Sequence, residues 1–418
     1  MKIAIVGTGV SGLVVAHLIH GAHDVTLFEA EGRIGGHVST VDAELGGARW
    51  AVDTGFIVYN ERTYPGLTRL FRSLGVETQA SDMSFSVACE STRIEWGSRS
   101  IGALLADPRN VLRADFRRML LDARRFFREA PHLLEHDDPK LALGDWLCGA
   151  GYSQAFVDLF LLPMGAAIWS AAPSDFLRFP AQTFVRFFSN HGLLSARGGV
   201  QWRVVRGGSR RYVEALIAPF RDRIRTHCAV RTVRRLAGGG VELELQGEAP
   251  GRAHRFDRAV LACHSDQALA LLVDANELER RVLGAIRYQE NETVLHTDAC
   301  VMPRRRRAWA SWNYRVPSDA RERVFVTYHM NRLQSLGPAP DFFVTLNAGE
   351  RIDPARVLAR FTYHHPVLDA EAIAVQKLHA AIDGRGGVHF AGAYWGYGFH
   401  EDGLHSAEVV AARIGGCA

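Results

Sequence analysis

Lysine is nearly missing from this chain: of 49 basic residues only Lys2, Lys140 and Lys377 are lysines. The arginine bias reads mainly as genome composition. A net charge of +4 over 418 residues gives no argument for a nucleic-acid partner. Six cysteines, at 89, 148, 228, 263, 300 and 417, form no CxxC pair and show no metal-ligand spacing. That pattern excludes a disulfide framework and points to reduced, structural thiols and no metal site. No apolar run reaches the roughly 18 residues that span a bilayer. The first strand pattern opens at Lys2, so no signal or transit peptide is expected in the chain as given, and the cytoplasm is the expected compartment. What remains is ordinary globular composition, 47% apolar and 22% charged, in a chain long enough for two interleaved domains.

The informative stretch is Lys2 to Gly36. Residues 2 to 6 form a short apolar run of the kind that becomes a buried parallel strand. Gly7-Thr8-Gly9-Val10-Ser11-Gly12 follows, and then a helical pattern. In this order Gly7 permits the tight turn, Gly9 admits a pyrophosphate to the backbone and Gly12 lets helix and strand pack closely. A second strand, Asp24 to Phe28, ends at Glu29-Ala30, where an acidic side chain binds the ribose hydroxyls of an adenine dinucleotide. Arg33-Ile34-Gly35-Gly36 adds a second approach to a diphosphate. This order resembles the two-dinucleotide-binding-domain flavoproteins, which implies FAD.

From Leu45 to Asn60 an alternating strand runs into a glycine turn at Asp53-Thr54-Gly55-Phe56. Here the chain resembles the flavin amine oxidase and phytoene desaturase superfamily, in which such a segment passes over the isoalloxazine ring, making Gly55 and Phe56 flavin-lining candidates. An ordinary strand turn is the alternative. Tyr64 to Gly75 reads as a helix, Ser81 to Ile94 as strands, and Ile101 to about Arg186 as helical. Within the last, six arginines between Arg113 and Arg128 accompany an apolar stripe of Leu112, Phe116, Met119, Leu120, Ala123 and Phe127. A basic amphipathic helix can lie on an anionic membrane. A solvated face over a protein core is the preferred reading.

A glycine-rich segment, residues 192–208, ends in Gly207-Gly208, and residues 207–217 resemble the superfamily's Gly-Gly pair before a helix, which implies that the chain returns there from the substrate domain to the flavin. Ala229 to Leu236, Val241 to Gln246 and His254 to Ala262 read as three strands, the resemblance placing Val230 near the adenine end and Ala262 on the returning strand. Further strands are expected at Glu292 to Asp298, Val324 to His329 and Phe342 to Leu346. Near the end, Val388 to Ala407 gives a strand ending in Ala391-Gly392, a glycine-rich turn and a helix opening at Glu401-Asp402-Gly403-Leu404. In the superfamily this segment holds the FAD phosphates and directs a helix N-terminus at the flavin.

The expected architecture is therefore α/β: a Rossmann-type FAD-binding domain with a β-meander (1–75, 206–275 and 385–418), interleaved with an α+β substrate domain (76–205 and 276–384), amine-oxidase-like. Where many amine oxidases carry a lysine that holds water at flavin N5, the matching strand offers His296, a catalytic candidate or a satisfied structural histidine. Tyr394 and Trp395 are candidates for an aromatic wall at the flavin. No cysteine stands between 360 and 400 to tether the cofactor, which implies non-covalent FAD. The phrases 53–60 and 390–403 further resemble bacterial predicted NAD/FAD-binding proteins encoded beside cyclopropane-fatty-acid-synthase-like methyltransferases, implying a lipid or fatty-acyl substrate. The resulting expectation is a desaturase or dehydrogenase passing a hydride from an acyl chain to flavin N5, with Met83, Phe85, Phe187, Phe188, Trp312 and Tyr314 as pocket candidates. An amine oxidase is the alternative. A redox-neutral, membrane-associated flavoprotein such as a lipid isomerase is the third reading, with contact at the inner membrane face.

Overall fold

The computed structural model describes residues 1–135, 138, 141–169, 176–194, 199–249, 251–318, 325–337 and 339–415. Lys140, Cys417, Val324 at the head of an expected strand, and residues 195–198 of the glycine-rich segment lie outside them.

The first strand, β1 (Lys2–Val6), is buried from Ile3 onward on both faces, as a central parallel strand must be. It leads into α1 (Val10–Ile19) and β2 (Asp24–Phe28), which pairs parallel to β1. Strands Ile224–Arg225, Arg258–Leu261 and Val388–Phe390 join them in a five-stranded parallel sheet, ordered 224–225, β2, β1, 258–261, 388–390. A meander of Val230–Arg235, Val241–Leu245 and Ala253–Phe256 lies beside it. The single strand expected from His254 to Ala262 is broken at Asp257. Its first half pairs antiparallel in the meander and its second half pairs parallel with β1. The switch point is fixed by Asp257 N donating to Lys2 O (2.8 Å) while Lys2 N donates to the Asp257 carboxylate (2.7 Å).

Beside this unit the chain builds a helical region and a large mixed sheet. Helix α2 (Ala114–Glu129) buries Phe116, Met119, Ala123 and Phe126 against the core and turns its arginines outward. This is the protein-covering arrangement, with one correction. Leu112 lies outside the helix, ending a 3-10 turn begun at Asp107, and stands 79% exposed. Among the strands of the large sheet, β3 (Arg287–His296) and β4 (Val357–Val367) pair antiparallel over nearly their whole length. The order is β4, β3, 343–346, 325–329, 312–316, 85–89, 95–97. Sequence pattern did not indicate β4, which carries Pro366 on the sheet edge, where a strand tolerates proline.

Helix α3 (His400–Ile414) packs on α1, and Ser11 Oγ donates to Gly403 O (2.9 Å). Among the described residues no helix is long and apolar enough to cross a membrane.

Candidate active site

Four parallel strands deliver their C-terminal ends to one crevice, the position at which such sheets bind ligands. The glycines there divide by what a side chain would meet. A Cβ on Gly12 would lie 2.1 Å from Gly7 O, on Gly36 2.8 Å from Gly9 Cα, and on Gly403 2.8 Å from Val10 Cγ1, so these hold the walls together. Gly7, at φ +103°, requires glycine for its backbone and presses on Ala262 O. Gly9 is different: a Cβ there meets nothing within 4 Å. It faces open space at the N-terminus of α1, where orphan amides favour an anion. Glu29, at the end of β2, accepts from Thr8 N (3.1 Å) and Thr8 Oγ1 (2.5 Å) on one oxygen and from Glu31 N (3.0 Å) on the other, which keeps a lone pair for a ribose hydroxyl. Donation by His227 N and Cys228 N to Glu31 O and Glu29 O carries the chain toward Val230 past this acidic end, next to Ala30. An open backbone approach, an acidic ribose partner and two converging helix N-termini fit FAD.

Arg33 acts on the loop itself, donating to Val38 O (2.6 Å) and Gly36 O (2.8 Å) and thereby shaping Gly35 to His37. Gly392 N donates to Ser406 Oγ (2.8 Å). Asp402 caps α3 through Phe399 N (2.9 Å), and burial pushes its carboxyl up to about 7. Leu404 turns its side chain into the core over Gly66.

The segment over the crevice is pinned at both ends. Asp53, fully buried, accepts from Ser209 N (2.9 Å), Ser209 Oγ (2.8 Å), Thr40 Oγ1 (2.6 Å) and Gln334 Nε2 (3.0 Å), and burial lifts its carboxyl to about 6 despite these bonds. A Cβ on Gly55 would sit 2.0 Å from His37 O, and Phe56 N donates to that same oxygen (2.9 Å). Phe56 then stacks on His400 at 3.7 Å, so the expected flavin-lining segment touches the start of α3.

Around it stand histidines that sequence pattern did not single out. The His37 ring meets Tyr363 (4.6 Å) and His365 (5.0 Å) edge-on, and the two imidazole Nε2 atoms lie 3.4 Å apart. Asn291 Nδ2 donates to His365 Nδ1 (2.9 Å), while Asn291 Oδ1 accepts from Asn347 Nδ2 (2.8 Å). These partners assign the tautomers. His365 Nδ1 is an acceptor, its Nε2 carries the proton and points it at His37 Nε2, and His37 keeps its own proton on Nδ1. Burial lowers His365 to about 4 and His400 to about 3. It holds His37 well below the usual range, helped by His365, His400, His264 and Arg33 nearby. His264, stacked on Tyr288 at 4.4 Å beyond the strand 258–261, is lowered by burial as well. At neutral pH the cluster is uncharged. A signal was available: His37 directly follows Gly35-Gly36, His264 follows Ala262-Cys263, and His400 precedes Glu401-Asp402, each at the end of a cofactor motif.

The three catalytic candidates lie elsewhere. His296 is 0% exposed. Its Nε2 bonds Thr345 Oγ1 (2.7 Å) and its Nδ1 accepts from Asp298 N (3.1 Å), so both nitrogens are spent on structure. Five residues of strand separate it from Asn291, about 17 Å along β3. Tyr394 is buried in the core with Val6, Phe28 and Leu261, its ring occupying the space a Cβ on Gly392 would need. Trp395 stacks on His379 (4.2 Å) and donates to Phe390 O (3.2 Å). Neither ring forms the expected wall. Of the pocket candidates, Phe188 and Tyr314 are core residues. Phe187 stacks on Phe399 (5.2 Å) and meets Tyr397 (5.5 Å), linking the helical region to the loop before α3. Phe85 belongs to the same apolar cluster, and Met83 and Trp312 border it.

The family model of flavin-containing amine oxidoreductases matches residues 10–298. No curated protein sequence matches the chain. Solved structures match it over nearly all its length at low identity. Putrescine oxidase bound to putrescine is 15% identical with a TM-score of 0.67, over 99% of each chain. Cyclohexylamine oxidase from Brevibacterium oxydans is 16% identical with a TM-score of 0.66, over 99% of this chain and 98% of that one. A fatty acid isomerase from P. acnes is 17% identical with a TM-score of 0.68, over the same shares. At these identities the likeness shows the fold, a parallel sheet joined to mixed sheets as in these enzymes.

Proposed function

The chain belongs to the flavin-containing amine oxidoreductase family and is an FAD-dependent oxidoreductase, and we propose that its substrate is a lipid or fatty-acyl chain, which it desaturates or dehydrogenates. The observation that carries this reading is the uncharged relay Asn347, Asn291, His365, His37 beside Tyr363 and Phe56. A neutral imidazole in a crevice lined by aromatic rings suits an apolar substrate that must lose a proton. The ten residues of β3 carry no lysine, so the usual amine-oxidase side chain has no counterpart on that strand.

FAD, when bound, supplies the two-electron acceptor for one C–H bond of the chain. Non-covalent binding is part of the proposal: Cys263, beside Ala262, has its thiol pushed up to about 12 by burial and is no nucleophile. The proton on the adjacent carbon passes to an imidazole, leaving the electron pair to form the carbon-carbon double bond. His37 is placed to take it at Nε2, its one unprotonated nitrogen, which gives up the long bond from His365 (3.4 Å) to do so, while Asn291 fixes the tautomer of His365. Phe56, stacked on His400, closes one side of the crevice to water.

Anaerobic absorbance of the FAD-loaded protein tests the proposal. Acyl lipids should bleach the flavin, with a new double bond in the recovered chain, while a panel of amines leaves it oxidised. Bleaching by an amine alone would overturn the lipid reading.

A further inference from the structure

Four of the six exposed large apolar residues among those described fall in one short stretch: Ile101 (78% exposed), Val111 (46%), Leu112 (79%) and Leu121 (64%). Single exposed apolar residues are common, but their clustering calls for a cause. The other two, Met1 and Val273, are isolated from this stretch in the sequence and the fold. Ile101 opens the short helix Ile101–Leu104, Val111 and Leu112 end the turn Pro108–Leu112, and Leu121 is on the outer face of α2.

These pieces form one surface because they share a base, the strand Glu95–Gly97. The helix 101–104 packs on that strand and on the turn Arg306–Ala308. Asn110 Nδ2 donates to Glu95 O (3.0 Å), and the Glu95 carboxylate accepts from the backbone of Arg304 and Arg305 (both 3.0 Å). Asp107 binds both Arg109 and Arg305 (both 2.9 Å), which joins the two turns and consumes the local acid. Around the apolar tips stand the exposed Arg99, Arg109, Arg117, Arg304, Arg306 and Arg307, opposed at the surface by Asp115.

We infer that this face, Ile101, Val111 and Leu112 with their surrounding arginines, docks the protein on an anionic phospholipid bilayer. Aliphatic tips enter the boundary between headgroups and acyl chains, and guanidinium groups pair with lipid phosphates around them. A second copy of the chain fits less well, because self-association would bring two arginine clusters together. Nucleic acid fits less well because the protruding side chains are aliphatic, with no aromatic ring on which bases stack.

Flotation of the FAD-loaded protein with vesicles tests this. Phosphatidylglycerol-containing vesicles should carry the protein at low salt, pure phosphatidylcholine should not, and added salt should release it. Ile101→Ser/Leu112→Ser removes only exposed groups and should weaken binding at least about tenfold, as should Arg304→Gln/Arg307→Gln, whereas Val273→Ser should leave it unchanged. Failure of anionic vesicles to float the flavin-loaded protein overturns the inference, and so does wild-type flotation by the Ile101/Leu112 variant. Flavin absorbance in the same samples separates docking from turnover. Flotation without bleaching keeps the docking face and removes the lipid substrate. Bleaching by detergent-dispersed acyl chains without flotation does the reverse.

Discussion

His296 and His365 sit on paired strands of one sheet, and burial pushes both imidazoles to a pKa of about 4. Their surroundings nevertheless give them opposite roles. His296 has both nitrogens engaged, by Thr345 and by Asp298 N, and no exposed surface. His365 is held on one side by Asn291 and hands its proton toward His37, whose Nδ1 forms no hydrogen bond among the described residues. A lowered pKa therefore reports burial in both cases. The hydrogen-bonding capacity left over at the end of the chain is what separates a working imidazole from a structural one.

The largest effect that can break this comparison is expected at the relay. His365→Gln or His37→Gln should slow anaerobic flavin reduction about 100-fold or more, with the bound-flavin spectrum retained. Stopped-flow absorbance with whichever substrate bleaches the wild type is the measurement, and a wild-type rate in both variants would end the distinction. Next, Asn291→Ala should cost roughly tenfold in the same rate, because His365 loses the partner that fixes its tautomer. Asn291 donates to the neutral form of His365, so its removal raises that imidazole's pKa and the acid limb of the rate profile should move to higher pH.

The opposite pattern is expected at the other histidine. His296→Leu should leave flavin reduction within about twofold but lower stability by about 1–3 kcal/mol in denaturant titrations, since Thr345 and Asp298 N lose a buried partner. The smallest effect lies in the pH dependence. The folded-state pKa of His296 is below its unfolded value of 6.5, so its contribution is complete above pH 6.5 and is lost as pH falls toward about 4. Between pH 6.5 and 5 that loss amounts to roughly 1.5 kcal/mol, and the profile of His296→Leu should be shallower by about that amount. Asp53 and Asp402, raised to about 6 and about 7, act with the opposite sign, but they are common to both proteins and cancel in the difference.

The cofactor cradle was legible because its information is local. Strand, glycine turn and helix follow one another in the sequence from Lys2 to Ile19, and each glycine's role can be read from its neighbours. The imidazole cluster was not legible, because His37, His264, His365 and His400 come from four stretches that only the two sheets bring together. His365 was further concealed by Pro366, which argues against a strand unless that strand lies at an edge, as β4 does. His296 drew attention because its strand matches the one that carries a lysine in many amine oxidases, but Thr345 on the neighbouring strand and Asp298 N just beyond the strand end take up both of its nitrogens. Tyr394 and Trp395 were placed by proximity in sequence to the glycine-rich turn, but Gly392 adopts a backbone that sends both rings to the core side.

The bond from Ser11 to Gly403 O spans 392 positions of chain. During synthesis the glycine-rich turn leaves the ribosome first, and the helix start that faces it emerges only after the intervening sequence has been made. Until then the nascent protein carries half a cofactor site. Tight capture of FAD becomes a late event that follows completion of the parallel sheet, and a chain stalled before Gly403 would be released without it.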